Sequence, residues 1–263
     1  MSKAPAVAIA SWGHGVFAVT MIGLGILGLI THDFMPTWAG VPDWIPAQSV
    51  IACVCAAISL ITGVGLLFRR TAFEASGVLL AVLAIWLLLF RVSYLFATPM
   101  DPGAWWGCGE TAVMFAAAGI LLVWFAGDRA ASRPAFATGR RGLRIARMFF
   151  GFGLIQFGIG HFTFFRRTID MVPAWMPWHV AWASFTGCAF IVAGIAVLIG
   201  VAARLAAALS ALELGLLTLL VWLPIVATMH PDRSQWTEFV SSVTLTAAAW
   251  VVADSYRRRL EGS

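Results

Sequence analysis

The chain has 263 residues, of which 61% are hydrophobic and 11% charged, with a net charge of +5 and a mean hydropathy of +0.90. That balance excludes an ordinary water-soluble domain. The excess positive charge lies between apolar runs, where it suits topology and anionic lipid, and nothing in it points to nucleic acid.

Crossing about 30 Å of hydrocarbon takes about 20 apolar residues as a helix. Eight runs qualify: 7–30, 47–68, 72–97, 107–127, 145–163, 180–200, 203–229 and 236–255. Strands of a membrane barrel would alternate polar and apolar residues, and Val78 to Phe90 does not. The expected fold class is an all-α membrane protein with eight transmembrane helices. Lys3 ahead of the first run imitates a signal peptide, but the run is long and no small-x-small cleavage site stands out. It also ends in a motif that recurs later, so it reads as helix 1.

Helix 1 carries Gly23, Gly25 and Gly28, small residues that let a neighbouring helix approach. After it come Thr31-His32-Asp33-Phe34 and a Pro42-x-Trp44-x-Pro46 triplet. The fifth run carries Gly151, Gly153, Gly158 and Gly160. After it come His161-Phe162 and a Pro173-x-Trp175-x-Pro177 triplet. The histidines are offset by 129 residues and the triplets by 131. In helix 4, Ala116-Ala117-Ala118-Gly119 matches Thr246-Ala247-Ala248-Ala249 of helix 8 at an offset of 130. The chain therefore reads as two four-helix repeats, 1–127 and 145–263, joined by a basic linker, 128–144. An even number of spans per repeat gives a parallel pair related by a pseudo-twofold axis along the membrane normal.

Basic residues set the orientation. Lys3, the Arg69-Arg70 turn, the linker arginines, Arg204 and the Arg257–Arg259 tail place 13 of 17 Lys and Arg on one side. The positive-inside rule makes that side cytoplasmic, with both termini there. Trp38, Trp44, Trp105, Trp106, Trp175, Trp178, Trp182 and Trp236 then fall at the outer boundary, where indole rings favour the headgroup level. The two proline-bracketed tryptophans, Trp44 and Trp175, also suit a stiff lid dipping into the bilayer.

The residues Gly160-His161-Phe162, Met171-Val172-Pro173-Ala174-Trp175-Met176-Pro177, Ser184-Phe185-Thr186-Gly187 and Gly194 resemble the DoxX-like four-helix membrane proteins. The match covers helices 5 to 7 best and helices 1 to 3 more weakly, with Asp33 where Phe162 would be. Helix 6 lacks the glutamate often found just after the Ser-x-x-Gly element. The resemblance implies a bacterial inner-membrane protein linked, in some members, to thiol or sulfur redox and quinone chemistry.

Ionisable groups inside a bilayer cost about 2.5–3.5 kcal/mol on insertion scales, so each is a candidate site. Arg91 and Glu110 fall at similar depth on adjacent antiparallel helices, either as a structural ion pair or as a holder of a polar head group. His32, His161 and Glu238 lie toward the same outer side, so each repeat is expected to aim polar groups into an outward-facing pocket. A histidine exchanges protons near neutral pH and a carboxylate can orient it. The expected site uses His161, His32, Glu110 and Glu238 for proton exchange, with Arg91, Trp44, Trp175 and Glu213 against the ligand. Glu213, in the middle of helix 7, reads either as an interhelical hydrogen bond or as one step of a proton path. No His-x-x-x-His or Cys-x-x-Cys spacing suggests a metal. His14 and His32, five turns apart at about 27 Å, fit no single ion, although each could ligate a separate haem. Cys53, Cys55, Cys108 and Cys188 read as small buried hydrophobes, with a Cys108 disulfide as the alternative.

The sequence thus points to a quinone or similar lipophilic ligand in the outer half of the bundle. The other readings are a small-solute transporter along the pseudo-twofold axis and a membrane anchor for a soluble redox partner. Homo-oligomerisation is open.

Overall fold

In hydrocarbon every backbone N–H and C=O must find a partner inside the protein, which a helix supplies from its own residues. The structure, a computed structural model, describes residues 9–126, 139–227 and 232–257. Among these residues eight helices are long and apolar enough to cross a membrane, and no strand occurs. They are α1 (Trp12–Thr31), α2 (Gln48–Leu66), α3 (Ala72–Ala97), α4 (Pro102–Ala126), α5 (Gly139–Thr163), α6 (His179–Ile199), α7 (Ala203–Ala227) and α8 (Arg233–Ser255). A short helix, Phe165–Asp170, follows α5.

Three ends differ from the expected bounds, and the first is that α1 begins at Trp12 rather than at 7. α4 begins at Pro102, so Trp105 and Trp106 are helical rather than interfacial loop residues. α5 begins at Gly139, so the described part of the expected 128–144 linker is helix carrying Arg140, Arg141 and Arg144. Arg129 and Arg133 lie outside the described residues.

Local signals account for the helix ends. Ser11 caps α1 by accepting from the His14 N–H at 3.1 Å. Asp232 and Gln235 form a reciprocal capping box at α8, at 2.8 and 3.0 Å. α1 stops at His32 in the left-handed region (φ 55°), and its N–H donates to Gly28 O at 3.0 Å. α3 and α7 each contain a π turn, at Leu87–Val92 and Thr218–Trp222. In α3 the Ser93 hydroxyl donates to Leu88 O at 3.0 Å. In α7 the π turn directly precedes Pro224, which has no N–H to offer.

Each helix packs on its chain neighbours, α8 also packs on α1, and α4 packs on α8 across the middle. In the most apolar window of α4, 78% of residues are buried, against 22% in α3 and in α7. α4 is therefore central and the other two are peripheral. Lipid tails give helices no hydrophobic reason to associate, so close packing of small residues does the work. Ala116–Ala118 on α4 and Ala247–Ala249 on α8 are fully buried. A Cβ at Gly25 would meet Leu60 and the Ala56 carbonyl of α2, and one at Gly158 would meet Ile191 and the Gly187 carbonyl of α6. Gly63 lies likewise against Ala18 and Ile22, and Gly194 against Gly151 and Ile155.

At the end of the bundle away from His161, Arg147 of α5 donates to the Ser255 hydroxyl at 3.1 Å and the Ser255 carbonyl at 2.7 Å. Its guanidinium lies 3.7 Å over the Tyr256 ring. His14 is fully buried, with Nδ1 accepting from Ala10 N–H and Nε2 donating to Leu66 O, both at 3.0 Å. Both ring nitrogens are thus committed to the fold, which leaves neither for a haem iron.

Candidate functional site

A cavity of about 650 Å³ lies among α4, α5, α6, α7 and α8, at the end of the bundle that carries His161. This volume is in the range of small-molecule sites. Its walls are mostly apolar and aromatic, and His161, Glu110, Glu213 and Glu238 all line it. Four of the eight expected site residues therefore meet in one place.

His161 stands near the end of α5 between the rings of Trp106 (6.1 Å) and Phe190 (5.4 Å). Its Nδ1 donates to Phe157 O at 2.8 Å, and Thr168 donates to the His161 carbonyl at 3.2 Å. The glycines around it make this fit. A Cβ at Gly160 would collide with the Trp106 indole, and one at Gly187 would meet the Phe162 ring and the His161 Cβ. The Gly-His-Phe and Ser-x-x-Gly segments of the sequence are therefore one packed unit.

Glu110 Oε1 accepts from Trp106 Nε1 at 3.1 Å and from Ser241 Oγ of α8 at 2.9 Å, which ties the two central helices together. Glu238 meets Arg167 at 3.5 Å on the rim, where both side chains are partly exposed. Glu213 makes no hydrogen bond to any described residue, and its Oε1 is buried. Of the two readings of Glu213, an interhelical hydrogen bond is thus not what the structure shows. Exposed apolar members of the wall include Phe185 (62%) on α6, Leu209 (52%) and Leu212 (56%) on α7, and Phe164 (41%) after α5, so the cavity reaches the surface of the bundle.

The remaining expected site residues lie elsewhere. His32 is exposed at the end of α1, and Trp44 is 81% exposed. Trp175 is 72% exposed, although its neighbours Pro173 and Met176 line the cavity mouth. Arg91 and Glu110 act on each other through their charges but make no direct ion pair. The Arg91 Nε donates to Thr111 Oγ1 at 3.2 Å and its Nη2 to Pro36 O at 3.4 Å, in space that the missing side chain of Gly107 leaves open. The expected second pocket, on the His32 side, is filled. Trp38 is 1% exposed, donates to Ser59 Oγ at 2.8 Å, and packs edge-on against Trp86 at 5.2 Å. Cys53, Cys55, Cys108 and Cys188 are free thiols.

Comparison with known proteins decides nothing further. No family model, curated protein or solved structure matches this chain. The reading therefore rests on the chain's own residues. Those that the sequence did not single out are Arg167, which faces Glu238, and Trp106, which links His161 to Glu110. Arg167 sits in an adjacent arginine pair that looks like loop charge. Trp106 was legible only as one of many boundary tryptophans.

Proposed function

We propose that the chain is a DoxX-like, tandem-duplicated protein of a bacterial inner membrane that binds a quinone or similar lipophilic molecule. The His161 end faces outward and both termini are cytoplasmic in this reading. The duplication is supported by packing. Gly25 and Gly158 are 133 residues apart, while their neighbours Leu60 and Ile191, and Ala56 and Gly187, are 131 apart. Ala47 and Trp178, both at φ 58° ahead of α2 and α6, are also 131 apart.

The observation that carries the ligand reading is the apolar cavity itself, which reaches exposed apolar side chains of α6 and α7 and is bounded by one imidazole and three carboxylates. A lipid-soluble molecule can enter it from the bilayer with its head toward His161 and its tail along α7. Passage of a solute along the pseudo-twofold axis has less support, because Ala116–Ala118 and Ala247–Ala249 on the two central helices are fully buried.

The test is extraction and mass spectrometry of protein purified in mild detergent from its native membrane. A quinone-class molecule should co-purify near one per chain and fall at least about tenfold in His161→Ala, where the head loses its polar partner. Recovery of phospholipid alone, unchanged by the substitution, would overturn the reading.

A further inference from the structure

We infer that the cavity is built for the reduced, hydroxyl-bearing form of its ligand, a hydroquinone-type head group, in preference to the oxidised dicarbonyl form. This rests on the ligand class proposed above and specifies its chemical state.

The argument begins with the tautomer of His161. A carbonyl oxygen only accepts, so the 2.8 Å contact with Phe157 O requires a proton on Nδ1. In the neutral ring Nε2 is then a bare acceptor, and no described residue donates to it. A second proton would place a cation between Trp106 and Phe190. Of the carboxyl groups on this wall, Glu238 is engaged with Arg167 and Glu110 with Trp106 and Ser241, and Glu213 makes no hydrogen bond to His161. A charge left in apolar surroundings without a partner is costly, so the neutral ring is favoured.

On the wall of the same cavity Glu213 Oε1 is also buried and without a partner. Trp106 and Ser241 serve Glu110, Ser242 is bonded to Thr218, and Thr168 and Thr186 serve backbone carbonyls, which leaves the Trp182 and Trp222 indoles and the rim guanidinium of Arg167 as donors elsewhere on the wall. At His161 the wall therefore offers a bare acceptor, Nε2, and asks its ligand for a donor there. A hydroxyl donates to Nε2, and it satisfies Glu213 in either state, donating to a carboxylate or accepting from a carboxylic acid. A quinone carbonyl would set its lone pairs against those of Nε2 and leave that nitrogen without a partner. Sites built to bond a hydroxyl discriminate against analogues lacking it, because their own polar groups are then stranded.

The experiment uses the full chain in phosphatidylcholine nanodiscs with decyl-benzoquinone, compared with the same molecule reduced and kept without oxygen. Bound ligand is counted by extraction and chromatography. The quinol should bind at least about tenfold more tightly than the quinone, and His161→Phe and Glu213→Leu should each shrink that ratio. The ratio in the unaltered protein decides even if a variant fails to fold. Equal binding of the two forms, or tighter binding of the quinone, overturns this inference and leaves the ligand class standing. No binding of either form overturns both.

Discussion

If the two halves are the repeats proposed above, the first four helices and the last four put opposite things in matching places. Between Ser59 and Trp86 the chain inserts Trp38, whose indole N–H finds Ser59 while Trp86 N–H finds Ala39 O at 3.2 Å. The residues 131 positions later are Phe190 and Leu217, and there the space is part of the cavity. The difference lies in the connecting segment. After α1 it turns inward through Pro36–Trp38, whereas after α5 it forms the helix Phe165–Asp170 and only roofs the space. Under the proposed duplication, a plug and a pocket are then alternative uses of one scaffold, selected by a few side chains.

Removing the plug gives the largest effect. Trp38→Ala should lower stability by about 3–5 kcal/mol, the usual cost of deleting a buried tryptophan, read as a lower thermal midpoint in detergent. It should also create a second site that takes up the decyl-benzoquinone probe. A small loss with no new uptake would show that the two halves are not comparable. Copying the plug gives the next largest effect. Leu217→Trp, which imitates Trp86, should weaken probe binding at least about tenfold, about 1.4 kcal/mol, and unchanged binding would place the ligand elsewhere. The smallest effect belongs to the rim. Glu238→Gln breaks the pair with Arg167, whose side chains are 58% and 36% exposed for Arg167 and Glu238, so stability should change by less than about 1 kcal/mol. A larger loss in a melting curve would mean that this pair anchors the roof.

The eight spans were legible because length and continuous hydropathy are all that a bilayer demands, and their ends fall within a few residues of expectation except at the starts of α1, α4 and α5. α5 was shortened because Arg140, Arg141 and Arg144 look like a polar seam, yet arginine is a good helix former whose stem can lie along apolar surface while its charge reaches water. Meeting of His161, Glu110 and Glu238 followed from shared depth and facing direction. The pairing of His32 with His161 did not hold, because their 129-residue offset is a match of letters. The backbone packing of α1 and α5 runs at 133, about one helical turn away, and sets His161 opposite Gly28. Trp38 was legible only as one of several boundary tryptophans, since periodicity cannot tell an indole that faces lipid from one turned into the bundle.

The hydrogen bond from Gly13 N–H to Asp254 Oδ2, at 3.2 Å, spans 241 residues. It joins the first turn of α1 to the last turn of α8, and α8 fills the groove beside α1. During synthesis α1 therefore enters the membrane long before its permanent neighbour exists, and the Gly13 N–H must wait for the final span to emerge. A ribosome that stalls before Arg233 leaves both α1 and the central α4 without the wall that α8 supplies.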